Sequence, residues 1–139
     1  MTLLNSKVAW IGGIALIAAV AGTASGQRRG GYSYTTGKEI YEHVCQGCHM
    51  PDAKGAVGAG FYPPLAGNRK LSFAGYPILV MLRGQKAMPS FADLTDAQIA
   101  ETTNYIRTNF GNQFPGLATP EQVQKLRPQQ VQREAQRPG

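Results

Sequence analysis

The chain has 139 residues, which is enough for one small domain with extensions at its ends. Its net charge of +6 is concentrated outside the middle of the chain, because residues 32–120 carry seven basic and six acidic side chains. Binding to nucleic acid would require a basic patch interleaved with aromatic residues. The near-neutral middle supplies no such patch, so no nucleic-acid partner is expected.

Residues 1–26 have the pattern of an export signal. Lys7 precedes a long uncharged apolar run, and small residues suited to a signal peptidase follow it. An uncleaved membrane anchor is the alternative, since residues 8–26 just reach the length that spans a bilayer. Both interpretations predict a periplasmic domain, with membrane contact only if the segment is retained. Residues 27–34 are rich in Gly and Arg and predict a flexible leader.

A short helix is predicted at residues 36–44. Thr36 and Glu39 stand three positions apart, which is the spacing of a capping box. Tyr41 belongs to the apolar face of this helix and is expected to pack in the core. His43 lies off that face and is expected to be a surface side chain without a ligand role.

The sequence C-x-x-C-H, formed by Cys45, Cys48 and His49, is the attachment signature of a c-type haem. Two thiols at this spacing reach the two vinyl groups on one porphyrin edge, and the histidine then binds the iron. Zinc needs four ligands, and His43 is the only further candidate nearby. A redox dithiol would favour a βαβ context, which this sequence lacks. The pattern therefore predicts one covalent haem c.

Residues 50–68 are rich in Gly, Pro and Ala and predict a loop that wraps the edge of the haem. The carbonyl of Pro64 is expected to accept the outer N–H of His49, which would orient the imidazole and strengthen its bond to iron. An ordinary Pro-Pro surface turn is the alternative.

Met88 is the candidate for the second axial ligand. It follows a helix predicted at residues 77–83 and precedes Pro89, so it lies on an extended loop. Among the four methionines, one leaves with the export segment, Met50 is too close to the proximal histidine, and Met81 is part of the helix. Met88 therefore remains as the thioether that can reach the opposite side of the ring.

The strongest predicted helix covers residues 94–110. Thr95 and Gln98 form a second capping-box pattern at its start, and apolar residues recur at helical spacing. Residues 119–139 are poor in apolar side chains and predict a mostly disordered tail, with some helix compatible with residues 120–126.

With C-x-x-C-H, P-P-L-A-G-N and A-M-P-S-F in this order, the chain resembles the class I cytochromes c over roughly residues 35–112. The resemblance implies an all-α fold in which three to four short helices wrap around one covalent haem, over residues 35–118. It also implies that Gly37 allows the first and last helices of the domain to cross closely. Tyr41 and Tyr105 match the aromatic residues of these two helices.

The resemblance assigns a role to each candidate site residue. Cys45 and Cys48 carry the thioethers, His49 and Met88 are the axial ligands, and Pro64 is the supporting carbonyl. The segment MPSFADLTDAQIAETTNYIRTNFGN is similar to the single-haem cytochrome subunits of bacterial periplasmic dehydrogenases. An electron-transfer protein is therefore expected, not an enzyme, with a dehydrogenase as electron donor and a respiratory cytochrome or oxidase as acceptor.

A haem enzyme or a protein that binds small ligands at a displaceable sixth position is the alternative function. It requires that Met88 be absent from the iron or easily displaced. Access of carbon monoxide to the iron distinguishes the two functions.

Overall fold

The computed structural model describes residues 31–58 and 60–128, which form a mainly helical body. Its α-helices are α1 (Gly37–Ile40), α2 (Gln46–His49), α3 (Gly75–Arg83), α4 (Asp96–Thr108) and α5 (Pro120–Leu126). A π-helical turn, Tyr41–Cys45, joins α1 to α2, and a 3₁₀ helix covers Arg69–Ser72. The predicted all-α class is confirmed.

A small antiparallel hairpin interrupts the loop that the sequence predicts between α2 and α3. Strands β1 (Ala56–Val57) and β2 (Phe61–Tyr62) pair with Val57 opposite Phe61. Strands of only two residues carry too little periodicity to be recognised in a sequence. The hairpin was therefore not predicted.

Capping boxes start three of the helices. At Thr36, Thr95 and Thr119 the side-chain oxygen accepts the backbone N–H three residues on, and the side chain at that position reaches back to the cap. Each box satisfies two backbone donors that a helix start leaves unpaired. The helix starts predicted at Thr36 and Thr95 are confirmed, as is the helix at residues 120–126.

The core consists of two clusters of buried side chains, and both are contacted by Cys45. The first cluster packs α1 and α3 against α4 and α5, whereas the second cluster surrounds Tyr41 beside the loop after α2. Cys45 is partly buried and contacts both clusters. The first cluster comprises Ile40, Ile78, Met81, Leu82, Leu94, Ile99, Ala100, Ala118 and Val123, and the second comprises Tyr41, Ala53, Leu71 and Ile106.

The C-terminal segment is packed further than its composition predicts. Val123, on α5, is fully buried in the first cluster. Arg127 donates to the carboxylate of Asp96 and to the carbonyls of Ala92 and Leu94. One buried valine and one well-placed arginine fix a segment whose average composition is polar, so the ordered body extends beyond residue 118. Residues 129–139 of the predicted tail lie outside the described residues.

The N-terminal side of the body is tied to α4. The side-chain amide of Gln98 donates to the carbonyls of Tyr32 and Tyr34, at 3.0 and 2.7 Å. These contacts hold the last part of the leader predicted at residues 27–34, whereas the export segment predicted at residues 1–26 lies outside the described residues. Within the part of the chain that the structure describes, no helix has the length and apolar character needed to cross a membrane.

Replacing Val123 by alanine should measure how much α5 contributes to the fold. Truncating a fully buried valine removes two methyl groups from the first cluster and leaves a cavity, so we expect a loss of about 2 kcal/mol of unfolding free energy. Denaturant unfolding of the haem-loaded protein measures this loss. Leu117, which is 69% exposed, supplies the control, since Leu117→Ala should stay within about 0.5 kcal/mol of the parent. Equal stability of all three proteins would show that α5 does not support the core.

Candidate haem-binding site

The motif residues occupy one helical segment, and they differ in exposure. Cys45 ends the π-helical turn and is partly buried, whereas Cys48 is exposed and His49 is buried at the end of α2. The two cysteines are not joined to each other by a disulfide. The π turn closes with a hydrogen bond from the Gln46 N–H to the Tyr41 carbonyl. Such turns recur at functional sites, because an extra residue in the turn redirects the side chains that follow it.

The imidazole of His49 is held by a backbone carbonyl. Its Nδ1 lies 3.0 Å from the carbonyl oxygen of Pro63. A carbonyl can only accept, so Nδ1 carries the proton and Nε2 keeps a free lone pair. Burial lowers the pKa of His49, while the Pro63 carbonyl acts in the opposite direction. The result is a neutral, oriented imidazole with one nitrogen available to a metal.

The supporting carbonyl belongs to Pro63, so the prediction of Pro64 is wrong by one residue. The Pro64 carbonyl accepts a hydrogen bond from the side-chain amide of Asn68, at 2.8 Å. Successive carbonyls of an extended chain point in different directions, so only one of the two prolines can face His49. The sequence identifies the Pro-Pro pair, but it does not determine which of the two carbonyls faces His49.

The electrostatics of the Cys45 thiol disfavour a redox dithiol. Burial, with a smaller contribution from the neighbouring Cys48, raises the pKa of Cys45 to about 12. Reactive cysteines have lowered pKa values, because the thiolate is the nucleophile. Among the described residues, no three His, Cys, Asp or Glu side chains are grouped as a metal-ion site. A protonated Cys45 thiol and a neutral His49 imidazole suit thioether attachment better than thiolate chemistry.

Met88 lies in a tight turn after α3. The backbone groups of Gln85 and Met88 exchange two hydrogen bonds, of 2.9 and 3.0 Å, and Lys86 within the turn has a left-handed φ of 54°. The following residues return to the end of α3, where the Ser90 hydroxyl donates to the Leu82 carbonyl. Met88 is partly buried against the first cluster, which Cys45 also contacts. Its role as an iron ligand stays a prediction.

Tyr41 and His43, which precede the motif, each make one contact through an aromatic ring or its hydroxyl. Tyr41 is buried, as predicted, and its hydroxyl donates to the carbonyl of Met50, directly after His49, at 2.7 Å. Burial raises the pKa of Tyr41, so the phenol stays protonated. His43 is exposed, as predicted, and stacks on Tyr34 with ring centroids 4.4 Å apart. The first contact supports the backbone at the end of the motif, and the second leaves His43 on the surface.

Arg107 is a structural residue that the sequence pattern did not identify. Its buried guanidinium donates to the carbonyls of Leu71 and Ser72 on one side and of Pro115 and Gly116 on the other. These contacts join the 3₁₀ helix before α3 to the loop after α4. All four partners are backbone groups, so no sequence signal could have found them.

The residues present fit a covalent haem c. Two thiols stand three positions apart, and a neutral imidazole with a free Nε2 follows directly. The thioether of Met88 and the first thiol approach the same cluster. A soft sulfur and an imidazole are the donor pair of the cytochromes c.

The family described as cytochrome c oxidase, cbb3-type, subunit III matches residues 33–106, which is more than half of the chain. The chain therefore belongs to this family of c-type cytochromes, and its cofactor is one covalently bound haem c. The predicted class of protein and the predicted cofactor are confirmed.

The relatives point the same way. Cytochrome c-552 of Thermus thermophilus is 36% identical over 129 residues, which cover 74% of this chain and 96% of that protein. The cytochrome c subunit of alcohol dehydrogenase (quinone) from Gluconobacter oxydans is 34% identical over 105 residues, covering 66% of this chain but 22% of that protein. The fructose dehydrogenase cytochrome subunit of Gluconobacter japonicus is 35% identical over 94 residues and is covered to 19%.

The chain thus spans about a quarter or less of the dehydrogenase cytochrome subunits that it matches. These relatives are named as cytochromes or cytochrome subunits. They support the prediction of a haem-containing electron-transfer domain, not an enzyme.

Proposed function

We propose that this protein is a periplasmic single-haem cytochrome that receives electrons from a dehydrogenase and passes them to a respiratory cytochrome or oxidase. The observation that carries the proposal is the state of His49, a neutral imidazole with Nδ1 bonded to Pro63 and Nε2 free, directly after two thiols. The names of the relatives from Gluconobacter support a dehydrogenase as donor.

Each site residue has one task in this proposal. Cys45 and Cys48 would hold the haem through thioethers, and His49 and Met88 would supply a nitrogen and a sulfur ligand to its iron. When bound, the haem supplies a one-electron couple between ferric and ferrous iron. Two protein ligands leave no position for a substrate, so the chain only exchanges electrons with partners. Methionine is a soft donor that favours the ferrous state, and a relatively high reduction potential follows.

The partner is expected to dock where the motif reaches the surface. Cys48 is exposed, whereas Cys45 is partly buried, which supports a thioether edge that faces solvent. Phe61 is 68% exposed on the hairpin, and the Met88 loop exposes Ala87 and Pro89. No charged residue occurs in residues 55–68. An apolar rim of this kind suits the small, short-lived interfaces of electron-transfer complexes, which bury less than about 1,200 Å² in total.

The periplasm is proposed from the export pattern of residues 1–26 together with the cofactor. Haem c is attached after export in bacteria, so the attachment motif and the export pattern require the same compartment. The mass of the purified protein tests this step, since a chain that lacks residues 1–26 indicates a cleaved signal and an intact chain indicates an anchor.

Carbon monoxide tests the electron-carrier proposal directly. With Met88 on the iron, the ferric protein should show the weak far-red absorption band of a methionine-bound haem. The ferrous spectrum should stay unchanged under carbon monoxide at neutral pH, because no coordination position is open. Ready formation of a carbon monoxide spectrum by the unmodified protein would contradict the proposal and favour a ligand-binding or peroxide-handling haem protein.

A further inference from the structure

The β1–β2 hairpin is attached at both ends to His49. At its start, the Gly55 N–H donates to the His49 carbonyl at 3.0 Å. At its end, the Pro63 carbonyl accepts the His49 Nδ1–H, also at 3.0 Å. The hairpin therefore closes on the backbone and the ring of the same residue, and its two ends must lie close together for both bonds to form.

Gly55 is the residue that permits this close approach. A Cβ at this position would lie 2.1 Å from the carbonyl oxygen of Tyr62, 2.9 Å from the carbonyl carbon of Pro63 and 3.1 Å from its oxygen. All three atoms belong to the backbone, so no side-chain rotation can relieve the clash. Gly55 also has a φ of +69°, which disfavours other residues. Any larger side chain would push apart the two ends of the hairpin.

We propose that Gly55 is a positioning residue that sets the reduction potential of the haem, a role that rests on the proposed function of His49 as iron ligand. Gly55 acts through the Pro63 carbonyl. Because Gly55 has no side chain, this carbonyl can reach Nδ1 of His49. A hydrogen bond at Nδ1 increases the electron donation of an imidazole to its metal. Stronger donation stabilises ferric iron more than ferrous iron and lowers the potential. Displacing the Pro63 carbonyl should therefore raise the potential.

Three alanine variants of the full-length, haem-loaded protein distinguish the displacement of the Pro63 carbonyl from two other causes of a changed potential. These causes are backbone strain alone and an added methyl group in the hairpin. Gly55→Ala introduces both the clash and the strained φ. Gly67→Ala introduces a comparable strain, since Gly67 has a φ of +59°, but no atom lies within 4 Å of its Cβ position. Gly58→Ala changes the same hairpin, where the added Cβ meets no atom within 4 Å and the φ is not left-handed. Potentiometric titration of the three proteins and the parent measures the potentials.

Gly55→Ala should raise the potential by about 59 mV. For a one-electron couple, this corresponds to a tenfold decrease in the preference of the site for ferric over ferrous iron. Gly58→Ala and Gly67→Ala should leave it unchanged within the error of the titration. Equal potentials in all four proteins would overturn the proposal. A rise of the same size in Gly67→Ala would also overturn it, because backbone strain alone would then explain the effect.

A measurement on the unmodified protein covers the case in which Gly55→Ala does not fold. In the proton NMR spectrum of the ferrous protein, the His49 Nδ1–H and the Gly55 amide should both exchange slowly with water, since each is held in a hydrogen bond. Fast exchange of either proton would overturn the closed hairpin. The carbon monoxide experiment judges the proposed function separately. If the ferrous protein binds no carbon monoxide and the potentials of the variants are unshifted, only the role of Gly55 is refuted.

Discussion

Replacing Met88 by alanine is expected to leave the haem attached and to open one axial position of its iron. In the proposed site, Cys45 and Cys48 attach the haem and the methionine does not, so the purified variant should keep one haem per chain. Loss of the soft sulfur removes the ligand that favours ferrous iron. The reduction potential should therefore fall by a substantial part of the roughly 0.8 V range that axial ligands span. The ferrous variant should also bind carbon monoxide, which the parent protein is expected not to bind.

Met81 supplies the matched control for this experiment. It lies on α3 and is buried in the first cluster, so Met81→Leu replaces one sulfur with a side chain of similar volume in the core. This variant should keep the potential and the spectrum of the parent. A Met88→Ala protein whose potential and carbon monoxide binding equal those of the parent would eliminate Met88 as the ligand, and another side chain would have to be found.

Replacing Gly37 by alanine is expected to cause the largest loss of stability. A Cβ on Gly37 would lie 2.1 Å from the carbonyl oxygen of Glu101 and 2.8 Å from the Cβ of Tyr105, both on α4. These atoms belong to the helix framework and cannot move without separating α1 from α4. We expect a net loss of about 2 to 3 kcal/mol, even though alanine is the better helix former by up to about 1 kcal/mol. In a domain of this size the melting temperature should fall by roughly 10–20 °C.

Gly47→Ala is the control for helix propensity. Gly47 lies on α2, and a Cβ there would meet no atom within 4 Å. Thermal unfolding followed by circular dichroism should show a melting temperature equal to or above that of the parent, because only the propensity changes. If Gly37→Ala and Gly47→Ala had the same melting temperature, the close crossing of α1 and α4 would contribute nothing to stability.

The parts of this protein that the sequence predicts correctly depend on neighbouring residues. A threonine followed three positions later by Glu or Gln specifies a helix start by itself, and the boxes at Thr36 and Thr95 appear as predicted. The C-x-x-C-H motif likewise contains its chemistry within five residues. Close crossing at Gly37 followed from a resemblance to a family, not from local pattern.

The parts that were not predicted depend on backbone groups that the fold brings together from afar. Which of the Pro63 and Pro64 carbonyls faces His49 depends on the local backbone conformation. The partners of Arg107 are four carbonyls, two from the 3₁₀ helix before α3 and two from the loop after α4. The packing of α5 rests on Val123, a single apolar side chain in a polar segment. Composition averages over such a segment and therefore misses the one residue that fixes it.

Both ends of the described body converge on the start of α4. Gln98 holds the carbonyls of residues 32 and 34, and Asp96, two positions earlier, pairs with Arg127 at 2.5 Å. The polypeptide thus enters and leaves the folded unit at a single corner. Because its two ends lie close together, a body with this arrangement can be inserted within a longer chain or circularly permuted. Its helices would keep their positions in both cases.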